Sequence, residues 1–202
     1  MRKQPDNQTR IDKSLVFLFT FLCLTACYAQ VSIPQGFSSY ASEPIGNGAT
    51  CHAGAVLDED GMNQKPFAYV EDLDHRVRWT APIALPNDAY QARLTHCERL
   101  NDALYVLMQA DTQQQQTLSQ TLLQIVKLNA ANGAVIGSTY VDVPGVKDAY
   151  SSWVDKGNVN FQAEKEKLII SGHYFRLADP NDRKTFEIDI DTKVAQADQG
   201  KN

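Results

Sequence analysis

The strongest constraint in this sequence is a period of two. In "TFEIDID" the apolar Phe186, Ile188 and Ile190 alternate with Glu187, Asp189 and Asp191, the pattern of a strand with one face buried and its acids in water. The runs "FAYVED", "HRVRWTAPIAL", "ALYVLMQ", "AVIGSTYVDV", "NVNFQAE" and "KLIISGHYF" are similarly short, rich in β-branched and aromatic residues, and bounded by Gly, Asn, Asp and Pro. Those features read as strands. Asn132-Gly133 in "AANGAV" is a hairpin turn signal. A helical reading competes at one place, because Leu118, Leu122, Ile125 and Val126 fall at helical spacing. The neighbouring segments nevertheless agree on strands, and "LLQIVKLNAANGAVIG" reads as a strand feeding a hairpin, so strand is the expectation there too.

The strand pattern recurs. "FAYVEDLDHRVRWTAPIALPNDAY" and "LQIVKLNAANGAVIGSTYVDVPGVKDAY" each run strand, turn, strand, proline and then Asp-Ala-Tyr, at positions 88 to 90 and 148 to 150; "TFEIDIDTK" begins a third, truncated copy. The expected fold is all-β and antiparallel, an open propeller-like fragment of about two four-stranded units. A β-sandwich is the alternative.

The N-terminus reads as a secretory signal. Arg2, Lys3, Arg10 and Lys13 precede the apolar run "SLVFLFTFLCL". From Ser14 to Ala26 the run is shorter than the roughly 20 residues needed to cross a bilayer. Leu24-Thr25-Ala26-Cys27 resembles the lipobox of bacterial lipoproteins. That resemblance implies lipidation of Cys27 and residence at the periplasmic face of the outer membrane, since Tyr28 rather than aspartate follows the cysteine. Ordinary signal cleavage after Ala26 or Ala29 is the competing reading. The expected organisation is a lipoprotein signal peptide over residues 1–26, a flexible tether over 27–50, and a single β domain over 51–202. The tether reading rests on the mixed Ser, Gly, Pro and Gln content of residues 28 to 50. Loss of the leader removes four of 19 basic and two of 24 acidic residues and leaves a net charge near −7, which gives the domain little reason to bind nucleic acid.

With Cys23 in the leader and Cys27 lipidated, Cys51 and Cys97 remain as a pair in an oxidising compartment. A disulfide closing a loop of about 45 residues is expected, stabilising by about 3–4 kcal/mol on the chain-entropy model. Each cysteine adjoins a histidine, His52 or His96, but adjacent Cys-His pairs cannot easily aim both side chains at one ion and no C-x-x-C spacing exists. No metal or other cofactor is expected. The acidic turn around Asp58, Glu59, Asp60 and Gly61 fails the EF-hand pattern: with Gly61 at the sixth loop position, Val56 and Phe67 fall where ligating oxygens are required. A looser calcium site is the competing reading, and a plain Asp-Gly turn accounts for the stretch.

Catalytic machinery is not evident. His75 belongs to a turn, His173 to a strand end, and Ser171-Gly172 lacks the flanking glycines of a nucleophile elbow. Trp79, Trp153, Tyr90, Tyr105, Tyr150 and Tyr174 are expected to pack rather than to form a ligand platform. No catalytic residues are assigned, and binding is the leading class of function.

The segments "KPFAYVEDLD" and "ALYVLMQADTQQQQTLSQTLLQIVKLNAANGAVIGSTYVDVPG" run in the order acidic-turn strand, VLM strand, polar loop, strand and return strand. In that order they resemble the small exported immunity proteins that neutralise type VI secreted peptidoglycan amidases. The resemblance spans roughly residues 65 to 145. It implies a propeller-like β fold, a secreted hydrolase as protein partner, and a loop with small hydroxyl residues inserted into the enzyme's groove. The corresponding connection is residues 111 to 119. Its expected contacts are Thr112, Gln113, Gln114, Gln115, Gln116, Thr117 and Ser119, with glutamines filling the centre where the family pattern has hydroxyls. An envelope assembly lipoprotein that binds through sheet edges is the first alternative, and a glycan- or peptide-binding lipoprotein the second.

Overall fold

A computed structural model describes residues 31–112 and 119–192. Among the described residues twelve strands form three antiparallel four-stranded sheets. The first is the meander β1 (Phe37–Pro44), β2 (Thr50–Val56), β3 (Lys65–Glu71) and β4 (Val77–Pro82). The second is the meander β5 (Ala89–Leu100), β6 (Ala103–Thr112), β7 (Thr121–Asn129) and β8 (Val135–Val141). In the third, β11 (Lys167–Arg176) is flanked on one side by β12 (Asp179–Asp191). Along its other side lie two short strands in succession, β10 (Phe161–Glu164) and β9 (Tyr150–Trp153). Among the described residues the only helical element is the 3-10 turn Asn158–Asn160, and no helix is long and apolar enough to cross a membrane.

The all-β, open propeller-like architecture expected from the alternation is what forms, with three four-stranded sheets where about two units were expected. Asp-Ala-Tyr marks the opening of a new sheet both times, since Ala89 begins β5 and Tyr150 begins β9. Three sheets fall short of the roughly four to eight blades of a closed ring. Two interfaces between three sheets also rule out the two-layer sandwich. The stretch 119 to 126 is strand from Thr121 onward and contains no helix.

An additional strand, β1, forms where a tether was expected. Phe37–Pro44 pairs along β2 from Phe37↔Val56 to Pro44↔Thr50. Phe37 packs edge-on to Phe67 and Tyr69 with ring centroids 5.6 and 5.4 Å away. The tether reading therefore fails from Phe37 onward: cross-strand backbone bonds and one aromatic anchor order a stretch whose composition is that of a linker. Cys27, together with the remaining residues before 31, lies outside the described residues.

The second sheet is the middle layer, and its central strands β6 and β7 are buried on both faces. Leu104, Val106, Met108 and Ala110 of β6, with Val126 and Leu128 of β7, pack against Cys51, Ala53, Ala68, Val70, Trp79 and Ala81 of the first sheet. The intervening Ala103, Tyr105 and Leu107, with Leu123 and Ile125, pack against Phe161, Leu168, Ile170 and Phe186 of the third. A strand covered on both sides has no wet face, which is why "ALYVLMQA" reads as a continuous apolar run. Cys51 of β2 and Cys97 of β5 form the expected disulfide, tying the first sheet to the second with their Cα atoms 6.5 Å apart.

Polar side chains also hold the layers. Gln109 is buried and donates from Nε2 to Thr95 Oγ1 and to the Val154 carbonyl, 3.0 Å each. His96, also buried, sets Nδ1 3.0 Å from Thr95 Oγ1 and Nε2 3.0 Å from the Asp155 carbonyl. Burial pushes its imidazole below the ordinary histidine pKa.

Candidate partner-binding surface

The β6–β7 connection leaves the middle sheet from a base built around Asp111. Oδ2 of Asp111 accepts from Gln91 Nε2 at 2.8 Å and Arg93 Nη1 at 3.1 Å, and Oδ1 accepts from Thr121 Oγ1 at 2.7 Å. Local register explains the meeting: Gln91 and Thr121 are the cross-strand partners of Asp111 on β5 and β7. Both charges are largely shielded, with side-chain exposures of 24% for Arg93 and 13% for Asp111. A shielded charged pair with a further hydroxyl donor is among the stronger kinds of hydrogen-bond cluster.

The next residues close the base. Thr112 N donates to the Gln120 carbonyl at 2.8 Å, and Gln120 N donates to Thr112 Oγ1 at 3.0 Å. Ser119 Oγ donates to the Thr112 carbonyl at 3.3 Å. The base is also tied to the third sheet, since Gln120 Nε2 donates to the Tyr150 carbonyl at 2.8 Å and Thr121 N donates to Ser151 Oγ at 2.9 Å. Thr112 and Ser119, both expected as contacts, thus bond to the stem of the connection. Gln113, Gln114, Gln115, Gln116 and Thr117 lie outside the described residues. Sequence reasoning placed Asp111 at the start of the connection without giving it a contact, and missed Arg93, Gln91, Gln120 and Thr121 as parts of this surface. Asp111 ends the apolar run of β6, and a lone acid at that position signals a hub only once its cross-strand neighbours are known.

The remaining candidates are dispersed. On the first sheet a cross-strand row sets Ser42 Oγ 2.9 Å from His52 Nδ1, with the His52 ring stacked on Tyr69 at 4.4 Å. His52 Nε2 stands 3.1 Å from Glu71 Oε1, a spacing for an ion pair once the ring is protonated, and His75 Nδ1 reaches the same oxygen at 3.0 Å. The His75 hydrogen bond, then the contact with His52, hold the Glu71 carboxyl below its usual range against the opposing effect of burial. His75 sits in a turn, as expected, at φ +57 with its side chain 84% exposed. Asp58 accepts from Met62 N and Asn63 Nδ2, so its carboxylate braces its own turn.

On the third sheet His173 stacks on Trp153 with ring centroids 5.4 Å apart, and its Nε2 contacts Asp155 Oδ2 at 2.9 Å. The Arg183 guanidinium lies 5.8 Å from the Trp153 ring centroid. Trp79, by contrast, is a core residue whose Nε1 donates to the Ala130 carbonyl at 3.1 Å. The named aromatics do not converge on one platform: Trp79 and Tyr105 are interior, and Trp153 is engaged by His173 and Arg183.

No family model matches the chain, and no curated protein matches it either. Among solved structures, BamB from Moraxella catarrhalis is similar at a TM-score of 0.29 and 11% identity, over 70% of this chain and 49% of that one. The chain therefore spans about half the length of that structure. A likeness of this degree says nothing about what the present chain binds.

Proposed function

We propose that this chain is a lipid-anchored envelope protein that binds and inhibits a secreted cell-wall hydrolase of the amidase type by presenting the β6–β7 connection to the enzyme's groove. One observation carries the reading. The stem of that connection is fastened at Asp111 to β5 and β7, and at Gln120 and Thr121 to β9. Bracing of this kind lowers the ordering cost when a loop is clasped by a partner. The glutamines of the connection offer donors and acceptors together, as the polar lining of a hydrolytic groove requires. The lipid implied by the lipobox would hold the inhibitor where such an enzyme acts and raise its local concentration.

The test uses purified peptidoglycan amidases of the type VI secreted class and follows stem-peptide release from purified cell-wall sacculi. The full chain is expected to suppress release. A variant with residues 113–118 replaced by a short Gly-Ser turn is expected to lose suppression while keeping its thermal midpoint. Equal suppression by both chains would overturn the loop mechanism, and suppression by neither would overturn the immunity reading.

A second reading, assembly through a sheet edge, is favoured by Val135 and Tyr140. They are 47% and 45% exposed on β8, which has β7 as its one sheet neighbour. An exposed edge of this kind templates strand addition by another protein. In that case replacing Tyr140 by lysine abolishes partner binding and the loop replacement leaves it intact.

A further inference from the structure

Three side chains from three adjacent strands line up on the face of the first sheet that is turned away from the second. Ser42 of β1 is the cross-strand partner of His52 of β2, and its Oγ lies 2.9 Å from His52 Nδ1. On the far side of the ring, His52 Nε2 stands 3.1 Å from Glu71 Oε1 of β3. His52 and Glu71 are well shielded, each with a side-chain exposure of 15%, whereas Ser42 is exposed. The order hydroxyl, imidazole, carboxylate is the one by which a serine is activated as a nucleophile.

The backbone is adapted to make this row. Tyr40 is an extra residue in β1, at the register shift between Ser39 and Ala41. Ser39 and Ser42 therefore share a face, with their hydroxyl oxygens 3.2 Å apart, although regular alternation would send them to opposite faces. Bulges of this kind re-aim side chains and are frequent beside active sites. The His52 ring lies flat on Tyr69, its cross-strand partner on β3, at 4.4 Å and an interplanar angle of 9°. His75, from the following turn, bonds Glu71 Oε1 at 3.0 Å and holds the carboxylate in place.

Charge decides which nitrogen of His52 carries the proton. Among the described residues Nε2 is buried without a hydrogen-bond partner, so its 3.1 Å approach to Glu71 acts through charge. A carboxylate oxygen at that distance favours an N–H over a lone pair at Nε2. Nδ1 is then the basic nitrogen, and Ser42 Oγ donates to it. The neighbouring Ser39 hydroxyl donates instead to the Ala41 carbonyl at 3.0 Å.

We infer that Ser42 is a nucleophilic serine that accepts the acyl group of an activated carboxylic ester. The hydroxyl proton moves to His52 Nδ1 as Oγ bonds to the carbonyl carbon. The bond from that carbon to the leaving alcohol's oxygen then breaks, and the alcohol departs with the proton from Nδ1. Glu71 stabilises the imidazolium present between the two steps and acts through His52 as a positioning residue. The site belongs to the first sheet and the β6–β7 connection to the second, so it stands independently of the inhibitor reading.

The experiment treats the folded protein with p-nitrophenyl acetate at neutral pH and follows the acetylated residues over time by peptide mass mapping. Ser42 is expected to react about a hundredfold or more faster than Ser39, the range of a positioned general base. Ser42→Ala is expected to abolish the fast acetylation at an unchanged thermal midpoint, and His52→Gln to slow reaction at Ser42 to the rate of Ser39. Glu71→Gln is expected to move the pH–rate profile of Ser42 acetylation to lower pH, because the imidazolium loses its counter-charge; an unmoved profile would remove Glu71 from the relay. Equal rates at Ser39 and Ser42, absence of acetyl from Ser42, or an unchanged Ser42 rate in folded His52→Gln overturns the inference. Should His52→Gln unfold, the ratio of Ser42 to Ser39 in the parent chain decides.

Discussion

Gly133 sits against the indole of Trp79, so close that a Cβ at Gly133 would lie 2.4 Å from Trp79 Cε3. The glycine occupies the β7–β8 turn at φ +73, and Trp79 belongs to β4, so a turn of the second sheet locks onto the last strand of the first. Two constraints act on one position, a left-handed backbone and contact with a buried ring. Gly133→Ala is expected to destabilise the protein by about 2–4 kcal/mol, from strain added to overpacking. Denaturant unfolding monitored by tryptophan fluorescence measures it. A loss under about 0.5 kcal/mol, the ordinary effect of a surface substitution, would show that the contact is easily relieved.

The Cys51–Cys97 bridge closes a sequence separation of 46 residues between two sheets. Replacing both cysteines by alanine is expected to cost about 4 kcal/mol on the chain-entropy model. Urea midpoints of the oxidised chain and the double variant test it, with a mass difference of two hydrogens on reduction as the check on the bond.

Asp111 carries the stem of the β6–β7 connection through three side-chain donors. Asp111→Ala leaves Arg93 and Gln91 without that acceptor and is expected to cost about 2–4 kcal/mol. Amide hydrogen exchange should rise first at Thr112, Gln120 and Thr121. Uniform acceleration over the whole middle sheet would instead show that the cluster supports the entire fold.

His96 supplies a pH dependence whose sign follows from burial. Its folded pKa is below the ordinary histidine value of about 6.5 because burial disfavours the imidazolium. The unfolded chain therefore binds more protons in the window just below that value. The associated stability is present above about pH 6.5 and is lost as pH falls from there toward the folded pKa. Urea midpoints should drop between pH 7.5 and 5.5, and His96→Asn should flatten that drop relative to the parent chain. A parallel drop in both would assign the effect to other groups.

Strand character was legible where apolar residues alternate strictly with charged ones, as in β12, where Phe186, Ile188 and Ile190 alternate with acids. It was equally legible in β6, whose unbroken apolar run reflects cover on both faces. Strand β5 was not legible. Its twelve residues include Arg93, Thr95, His96, Glu98 and Arg99, and their polarity is satisfied by partners distant in sequence, such as the Asp155 carbonyl and Gln109. Strand β1 was lost in a linker-like composition for a related reason, since its order comes from pairing with β2 and from the Phe37 contacts.

Alternation, the Asn-Gly turn, the recurring Asp-Ala-Tyr and the pairing expected of Cys51 with Cys97 were enough to define an antiparallel β chain with a bridge between those two cysteines. Those are local or arithmetical properties, carried by side-chain period, turn chemistry and cysteine count. The number of sheets, the bracing of Asp111 and the placing of Lys127 beside Tyr105 depend on which strands become neighbours. Pairing register and burial are set by contacts between residues far apart in the chain, and no window of sequence contains them.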